Sequence, residues 1–156
     1  MIGMNEFKMI DDREEPDEDS YETDPKLFRR LEKQYRLNFK LDAFAKDYNK
    51  LCDKFLSDAL HDEWIPGDVW CNGPHSINEE CIRRADAQHR KHNINICMII
   101  PTNVQSSKVW HQLIENETTI FVENHPLLGR PNFRKRGRKT LFPSRNAYHV
   151  IIWRKI

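Results

Sequence analysis

The spacing of apolar residues in the first third of the chain predicts a helix, a strand and a second helix. Asp24 stands before a proline at a helix start, and the apolar residues that follow recur on one face over residues 25–34. Apolar and polar residues then alternate over residues 37–41, which predicts a short strand that stops at Asp42. Helical spacing returns over residues 44–55, so we expect a second helix there.

The middle of the chain predicts two buried strands with a helix between them. Residues 68–71 form an apolar run that follows a Pro-Gly turn and leads into a loop. Ser76 with Glu79 makes a capping box, and the apolar face of a helix follows it: Ile77, Cys81, Ile82 and Ala85. Residues 94–100 are the most apolar stretch of the chain, so they predict a central strand.

The C-terminal third predicts a short helix and two further strands. The helix is expected near residues 107–114, and the strands at residues 118–122 and 148–153. Strands separated by helical patterns are typical of an α/β sandwich around a mostly parallel sheet. We expect an antiparallel strand near the C-terminus of this sheet.

Length and composition indicate one domain preceded by an acidic arm. The 156 residues suffice for one hydrophobic core but not for two independent ones. Residues 1–22 are acidic and have low hydropathy, which predicts a disordered arm before a domain of residues 23–156. No apolar run approaches the roughly 20 residues that cross a bilayer, and the acidic N-terminus is unlike a signal peptide. Because the four cysteines form no CxxC pair, we expect thiols in a reducing, cytoplasmic compartment.

The net charge of +1 conceals a strong asymmetry. Residues 1–24 hold ten acids and two bases, a net charge of −8 that leaves +9 on the rest of the chain. Six bases fall among the eleven residues 129–139. We call residues 129–139 the basic segment; its composition suits contacts to a nucleic-acid backbone, although a solvated surface loop is as compatible with charge alone.

Candidate chemistry lies where the first two predicted strands of the sheet end. In open α/β sheets, ligands bind at the carboxyl ends of strands, and Asp42 and Asn72 fall at such ends. Asp42 could accept hydrogen bonds from ribose hydroxyls or a cationic group, or it could instead cap the next helix. Between Asn72 and His75 the chain offers a side-chain carbonyl, a backbone carbonyl and a flat ring, which suit an exocyclic amine. An ordinary turn is the alternative, because Asn, Gly and Pro are turn residues.

The ordered set of motifs resembles the phage-type DNA N6-adenine methyltransferases. The resemblance covers residues 23–156 and rests on these stretches, in order: Thr23-Asp24-Pro25, Leu41-Asp42-Ala43-Phe44-Ala45, Asn49, Cys52, Trp64, Val69-Trp70-Cys71-Asn72-Gly73-Pro74-His75-Ser76, Ile99-Ile100-Pro101, Trp110-His111, Gly129-Arg130 and Phe133. It implies a Rossmann-like methyltransferase sandwich, a mostly parallel sheet with helices on both faces. It also implies transfer of the methyl group of S-adenosylmethionine to the N6 amine of adenine in DNA.

Site residues follow from the resemblance position by position. Asp42 and Ala43 match the acidic cofactor-binding position and its neighbour, and Thr23 and Pro25 match the segment beside the methionine end of the cofactor. The basic segment matches a DNA-contacting loop, with these candidate contacts: Arg130, Phe133, Arg134, Lys135, Arg136, Arg138 and Lys139.

The catalytic loop matches the family motif Asn/Asp-Pro-Pro-aromatic but departs from it twice. Asn72 and Pro74 agree with the motif, whereas Gly73 replaces its first proline and His75 its aromatic residue. Glycine keeps the backbone carbonyl that the second position contributes, and the imidazole is a planar ring that can stack on a base. These departures leave an alternative open, a catalytically silent domain that binds nucleic acid or a partner protein. A methyltransferase acting on RNA or on protein amides is the other alternative.

No metal site is predicted from the sequence. His89 and His92 lie three residues apart, but no carboxylate or cysteine pattern completes a set of ligands.

Overall fold

The computed structural model describes residues 22–115, 121–134 and 141–156 of the chain. Its helices are α1 (Pro25–Tyr35), α2 (Asn78–His92) and α3 (Lys108–Leu113). Its strands are β1 (Glu22–Thr23), β2 (Phe39–Asp42), β3 (Lys54–Phe55), β4 (Asp68–Cys71), β5 (Ile96–Pro101), β6 (Val122–Pro126), β7 (Asn132–Arg134), β8 (Leu141–Pro143) and β9 (Tyr148–Trp153). Short 3-10 helices at His75–Ile77 and Thr102–Ser106 follow β4 and β5.

Six strands form a mixed sheet in the order β3-β2-β4-β5-β9-β6. Strands β3, β2, β4 and β5 pair in parallel, whereas β9 is antiparallel to both of its neighbours. The α/β class is therefore confirmed, with the antiparallel strand near the C-terminus. Because β2 and β4 are parallel neighbours, Asp42 and the loop after Cys71 lie at the same edge of the sheet.

Apolar clusters cover the two faces of this sheet. Along β5, Ile96, Met98 and Ile100 join the cluster that holds the buried apolar residues of α2 and α3. The alternate residues Cys97 and Ile99 join the cluster that holds the buried residues of α1. This alternation follows from the two-residue period of a strand, so a continuous apolar run in sequence becomes a strand buried on both faces.

A second, three-stranded sheet attaches the start of the described chain to its C-terminal third. Its order is β1-β7-β8, and Glu22 and Thr23 of β1 pair with Arg134 and Phe133 of β7. Glu22 is 6% exposed and accepts a hydrogen bond from Nε of Arg134 at 3.2 Å. Glu22, the last residue of the predicted acidic arm, is thus paired with Arg134 in the small sheet. The remainder of the arm lies outside the described residues.

Several predicted elements are confirmed with small shifts. The first helix, the strands at β4, β5 and β9, and the short helix α3 all form close to their expected bounds. Asp24 caps α1 by accepting the N–H of Lys26 at 3.0 Å. The strand predicted at 118–122 is observed from Val122 onward, and residues 118–120 lie outside the described residues.

Two predictions of local structure are wrong. Residues 44–55 form turns, bends and the short strand β3 instead of a helix. Side chains there bind backbone N–H groups locally: Asn49 accepts from Lys46 at 2.7 Å, and Asp42 accepts from Leu51 at 3.0 Å. Such bonds compete with helical ones. The capping box also fails, since α2 begins at Asn78 with Ile77 as its N-cap.

Candidate functional site

The ends of β2, β3 and β4 open onto a cavity of about 300 Å³. One wall comes from the chain after β2 and β3, where residues 43–46, 48–49 and 56–60 line the cavity. The other wall is the loop after β4, with Asn72, Gly73, Pro74, His75 and Ile77. All four predicted catalytic residues and Ala43 thus border one space.

A much smaller cavity, of about 20 Å³, lies beside the first and joins two further predicted residues to Asn72. Its lining includes Thr23, Asp42 and Asn72, which come from β1, β2 and the loop after β4. Pro25, the first residue of α1, is half-buried, and it belongs to the lining of neither of these two cavities. Predicted positions far apart in sequence therefore converge at one edge of the sheet.

Asp42 supports this edge from inside the protein. Its side chain is 3% exposed, and burial raises its pKa to about 7 although backbone N–H groups of Leu51 and Phe44 bind it. The Asp42 carbonyl also accepts the N–H of Leu56 at 3.3 Å. Asp42 therefore holds together the wall that follows β2, and it lines the small cavity rather than the large one.

Asp58 is the carboxylate that lines the large cavity, and the sequence analysis missed it. Its side chain is 58% exposed, and both its oxygens lie 3.0 Å from Nδ1 of His61. Asp58 follows β3 by three residues. The sequence analysis missed Asp58 because it interpreted residues 44–55 as a helix. A predicted strand at that place would have put this carboxylate near a strand end, where ligands bind.

Asn72 is oriented by a partner from the other sheet. Its Nδ2 donates to Oγ1 of Thr23 at 2.8 Å. An amide has a donor end and an acceptor end, so committing Nδ2 to Thr23 directs Oδ1 away from that hydroxyl. Thr23 is held in turn by its pairing with Phe133 in the small sheet.

Gly73 is explained by the close approach of α2. A Cβ placed on Gly73 would overlap Sγ of Cys81, and it would also lie 3.4 Å from the ring of Phe44. Cys81 is 2% exposed, so little space is available for its side chain to move away. The departure from proline at the second motif position therefore has a steric cause in this chain.

Pro74 and His75 begin the turn that leads into α2. The Pro74 carbonyl accepts the N–H of Ile77 at 3.1 Å. Nε2 of the half-buried His75 lies 2.8 Å from the hydroxyl of Tyr148, and the two ring centroids are 5.6 Å apart at an angle of 47°. The sequence analysis did not assign Tyr148 to the site.

The predicted nucleic-acid contacts differ in accessibility. Arg130 is exposed, and Arg134 is half-buried in its ion pair with Glu22. Phe133 is fully buried, and its ring packs 5.5 Å from that of Tyr148. Its contact with nucleic acid stays a prediction. Four further predicted contacts lie outside the described residues: Lys135, Arg136, Arg138 and Lys139.

Residues 22–115, 121–134 and 141–156 contain few other groups that suggest a functional site. No cluster of three potential metal ligands occurs among them. Nε2 of His89 lies 2.7 Å from the Arg154 carbonyl, which gives this ring a structural partner. The four cysteines are free thiols. None of the helices in this part of the chain is long and apolar enough to cross a membrane.

Comparison with known proteins identifies the family to which this fold and site belong. A search of curated proteins returns no match. A family model described as DNA N-6-adenine-methyltransferase (Dam) matches residues 12–155. This match spans both walls of the cavity, the small sheet and the basic segment. The chain therefore belongs to the DNA N-6-adenine-methyltransferase family.

Proposed function

We propose that this DNA N6-adenine methyltransferase binds S-adenosylmethionine in the large cavity and presents the adenine amine to the loop after β4. The observation that carries the proposal is the cavity itself. It has an exposed carboxylate, Asp58, on one wall and the motif Asn72-Gly73-Pro74-His75 on the other. We also infer a Rossmann-like methyltransferase sandwich, supported by the parallel strands, the antiparallel β9 and the clusters on both faces.

The cavity suits the cofactor in size and in chemistry. Its volume of about 300 Å³ falls at the lower end of the usual range for small-molecule sites. Asp58 offers carboxylate oxygens that accept hydrogen bonds from ribose hydroxyls, while Asp42 keeps the surrounding backbone in place. Ala43 borders the cavity directly, and Thr23 and Pro25 are assigned to the neighbourhood of the methionine end.

Asn72 and Gly73 act on the target amine. When bound, S-adenosylmethionine would supply an electrophilic methyl group: the N–C bond forms as the C–S bond breaks, the thioether leaves, and the methylated amine releases one proton to solvent. The adenine amine is a poor nucleophile because its lone pair is delocalised into the ring. Oδ1 of Asn72 and the Gly73 carbonyl accept hydrogen bonds from the two N–H groups of the amine. These bonds draw the nitrogen lone pair out of its conjugation with the ring. Nδ2 of Asn72 is committed to Thr23, which favours this use of Oδ1.

DNA binding adds two requirements. The target adenine must leave the base stack to reach a cavity, and His75 provides a ring on which it can stack. Phosphate contacts come from the basic segment, for which Arg130 is the exposed base among the described residues 129–134. Arg134 contributes less to these contacts, because its guanidinium is engaged by Glu22.

One experiment tests the proposal in two stages. Calorimetry measures binding of S-adenosylmethionine, and transfer of its labelled methyl group is then measured on unmethylated DNA, RNA and protein. We expect binding, and label in N6-methyladenine of DNA. Binding without methyl transfer would indicate a catalytically silent domain. Label found only in RNA or in protein would mean that DNA is not the substrate.

A matched pair of variants tests the assignment of Asp58. Asp58→Asn should weaken cofactor binding by about 1.5 kcal/mol or more, the scale of hydrogen bonds to a charged group. Asp47→Asn is the control, because the Asp47 side chain is 87% exposed and is paired only with the neighbouring Lys50 among the ion pairs of the described residues. Equal affinities for the two variants would remove Asp58 from the cofactor site.

A further inference from the structure

Tyr148 is a buried phenol whose hydroxyl reaches the candidate site. It begins β9 opposite Pro101, the last residue of β5, and this places it at the sheet edge where the cavity opens. The residue is 1% exposed, and its hydroxyl lies 2.8 Å from Nε2 of His75. A buried tyrosine hydroxyl needs a hydrogen-bond partner, and here that partner includes the fourth residue of the catalytic motif.

The ring of Tyr148 is fixed by packing and by a backbone hydrogen bond. Phe133, which is fully buried, packs against it with centroids 5.5 Å apart at 60°. The Tyr148 carbonyl also accepts the N–H of Leu127 at 3.0 Å. A side chain confined in this way in a close-packed core presents its hydroxyl at a nearly constant position.

A fixed hydroxyl can set the orientation of the His75 ring. The ring torsion of histidine is broad, so several planes of the imidazole are accessible to a half-buried side chain. The imidazole also offers less stacking area than a tyrosine ring. A hydrogen bond to a fixed hydroxyl selects one plane, whether the nitrogen accepts from the hydroxyl or donates to it.

We propose that Tyr148 is a positioning residue that sets the plane of the His75 ring against the flipped adenine. The proposal rests on the proposed function, in which His75 stacks on that base. It assigns to β9 a role in substrate capture: the hydroxyl of Tyr148 compensates for the smaller ring at the fourth motif position.

A double-mutant cycle tests this coupling. Methylation of DNA is measured for wild type, Tyr148→Phe, His75→Phe and the double variant. Tyr148→Phe keeps the buried ring and removes only the hydroxyl, so KM for DNA should rise by about 3- to 10-fold, the scale of one hydrogen bond, with kcat nearly unchanged. In the His75→Phe background the same substitution should change KM less than about 2-fold. An equal loss in both backgrounds would overturn the proposal, because it would show an effect transmitted through β9 alone.

A measurement without DNA or cofactor separates this proposal from the proposed function. The ¹⁵N chemical shifts of the His75 ring report which nitrogen is hydrogen-bonded. They should change in Tyr148→Phe and stay constant in the control Tyr35→Phe, whose hydroxyl accepts from Gln34 instead. Unchanged His75 shifts in Tyr148→Phe would overturn the positioning role. If wild type fails to methylate DNA, the proposed function fails, and these shifts still decide whether Tyr148 orients His75.

Discussion

The two walls of the cavity are held in different ways. The wall after β2, residues 43–60, begins with a bond to a nearby carboxylate, since Asp42 accepts the N–H of Leu51, nine residues along the chain. Farther along this wall, Arg84 donates to the Ala59 carbonyl. The motif wall, Asn72-Gly73-Pro74-His75, depends on distant groups. Thr23 binds Asn72 across 49 residues, and Tyr148 binds His75 across 73 residues.

Because the holding groups differ in chemistry, each wall should be sensitive to a different kind of change. Asp42 is ionisable and buried, so its wall responds to pH near neutrality, where that carboxyl titrates. Thr23 binds the motif through a neutral hydroxyl, and removal of that hydroxyl should act on orientation rather than on stability. The proposed cofactor side and the proposed methyl-acceptor side should therefore respond to different perturbations.

The largest expected effect is the loss of folding stability that ionisation of Asp42 causes as pH rises to neutrality. The pKa of Asp42 is about 7 in the folded protein against an ordinary value of 3.8. Between these values the unfolded chain releases the proton and the folded chain retains it, so stability falls as pH rises. Asp42→Asn keeps an oxygen for Leu51 and abolishes this titration. Its stability relative to wild type should therefore rise by about 4 kcal/mol between pH 4 and pH 7, by the conversion of 1.36 kcal/mol per pKa unit. The loss of one oxygen as an acceptor for Phe44 adds an offset that does not change with pH.

Urea unfolding between pH 3.5 and 8 measures this prediction. The exposed Asp47→Asn variant is the control and should follow wild type across the range. A constant difference between Asp42→Asn and wild type would contradict the raised pKa, because it would mean that the carboxyl does not titrate differently in the two states.

The second prediction concerns the motif wall. Asn72→Ala should lower turnover by about 10²- to 10³-fold, the effect of removing one preorganised polar group, while cofactor affinity changes little. Single-turnover methyl transfer and calorimetry measure the two quantities. A comparable loss of cofactor affinity would move Asn72 to the cofactor wall and weaken the contrast between the walls.

The third prediction concerns the packing that sets the backbone of the motif. Gly73→Ala should destabilise the protein by about 1–3 kcal/mol, because the new methyl group overlaps Sγ of Cys81. In a Cys81→Ala background the sulfur is absent, and the added cost of Gly73→Ala should fall below about 1 kcal/mol. Denaturant unfolding of the four proteins gives the coupling energy. If the two substitutions were simply additive, Cys81 would not be the reason for glycine at this position.

The sequence was informative where local pattern and burial agree. The apolar run at β5 and the terminal strand β9 were predicted because a buried strand needs such a run whatever surrounds it. The family resemblance located Asn72 and Asp42, and the parallel pairing of β2 with β4 explains why they are neighbours.

The missed features all depend on contacts that sequence pattern does not record. Tyr148 looked like the first residue of a core strand, and its hydroxyl matters only because β9 begins beside His75. Asp58 was hidden by helical spacing that local side-chain bonds override. Phe133 looked like a base contact within a basic segment, yet strand pairing turns it into the core.

The smallest expected effect tests whether a strand distant in sequence orients the motif. Thr23→Val preserves shape and removes the oxygen that accepts from Nδ2 of Asn72. The amide can then rotate and present its N–H groups to the target amine, which is itself a donor. Turnover should fall by about 3- to 10-fold, the scale of one hydrogen bond, with cofactor affinity and unfolding free energy close to wild type.

The conservative variant supplies the control. Thr23→Ser retains the hydroxyl and should restore turnover to within about 2-fold of wild type. Equal losses in Thr23→Val and Thr23→Ser would assign the effect to packing of β1 against β7 rather than to the hydrogen bond. A loss of cofactor affinity in Thr23→Val alone would place this hydroxyl on the cofactor side, as the family resemblance implies, so the measurement decides to which of the two walls Thr23 belongs.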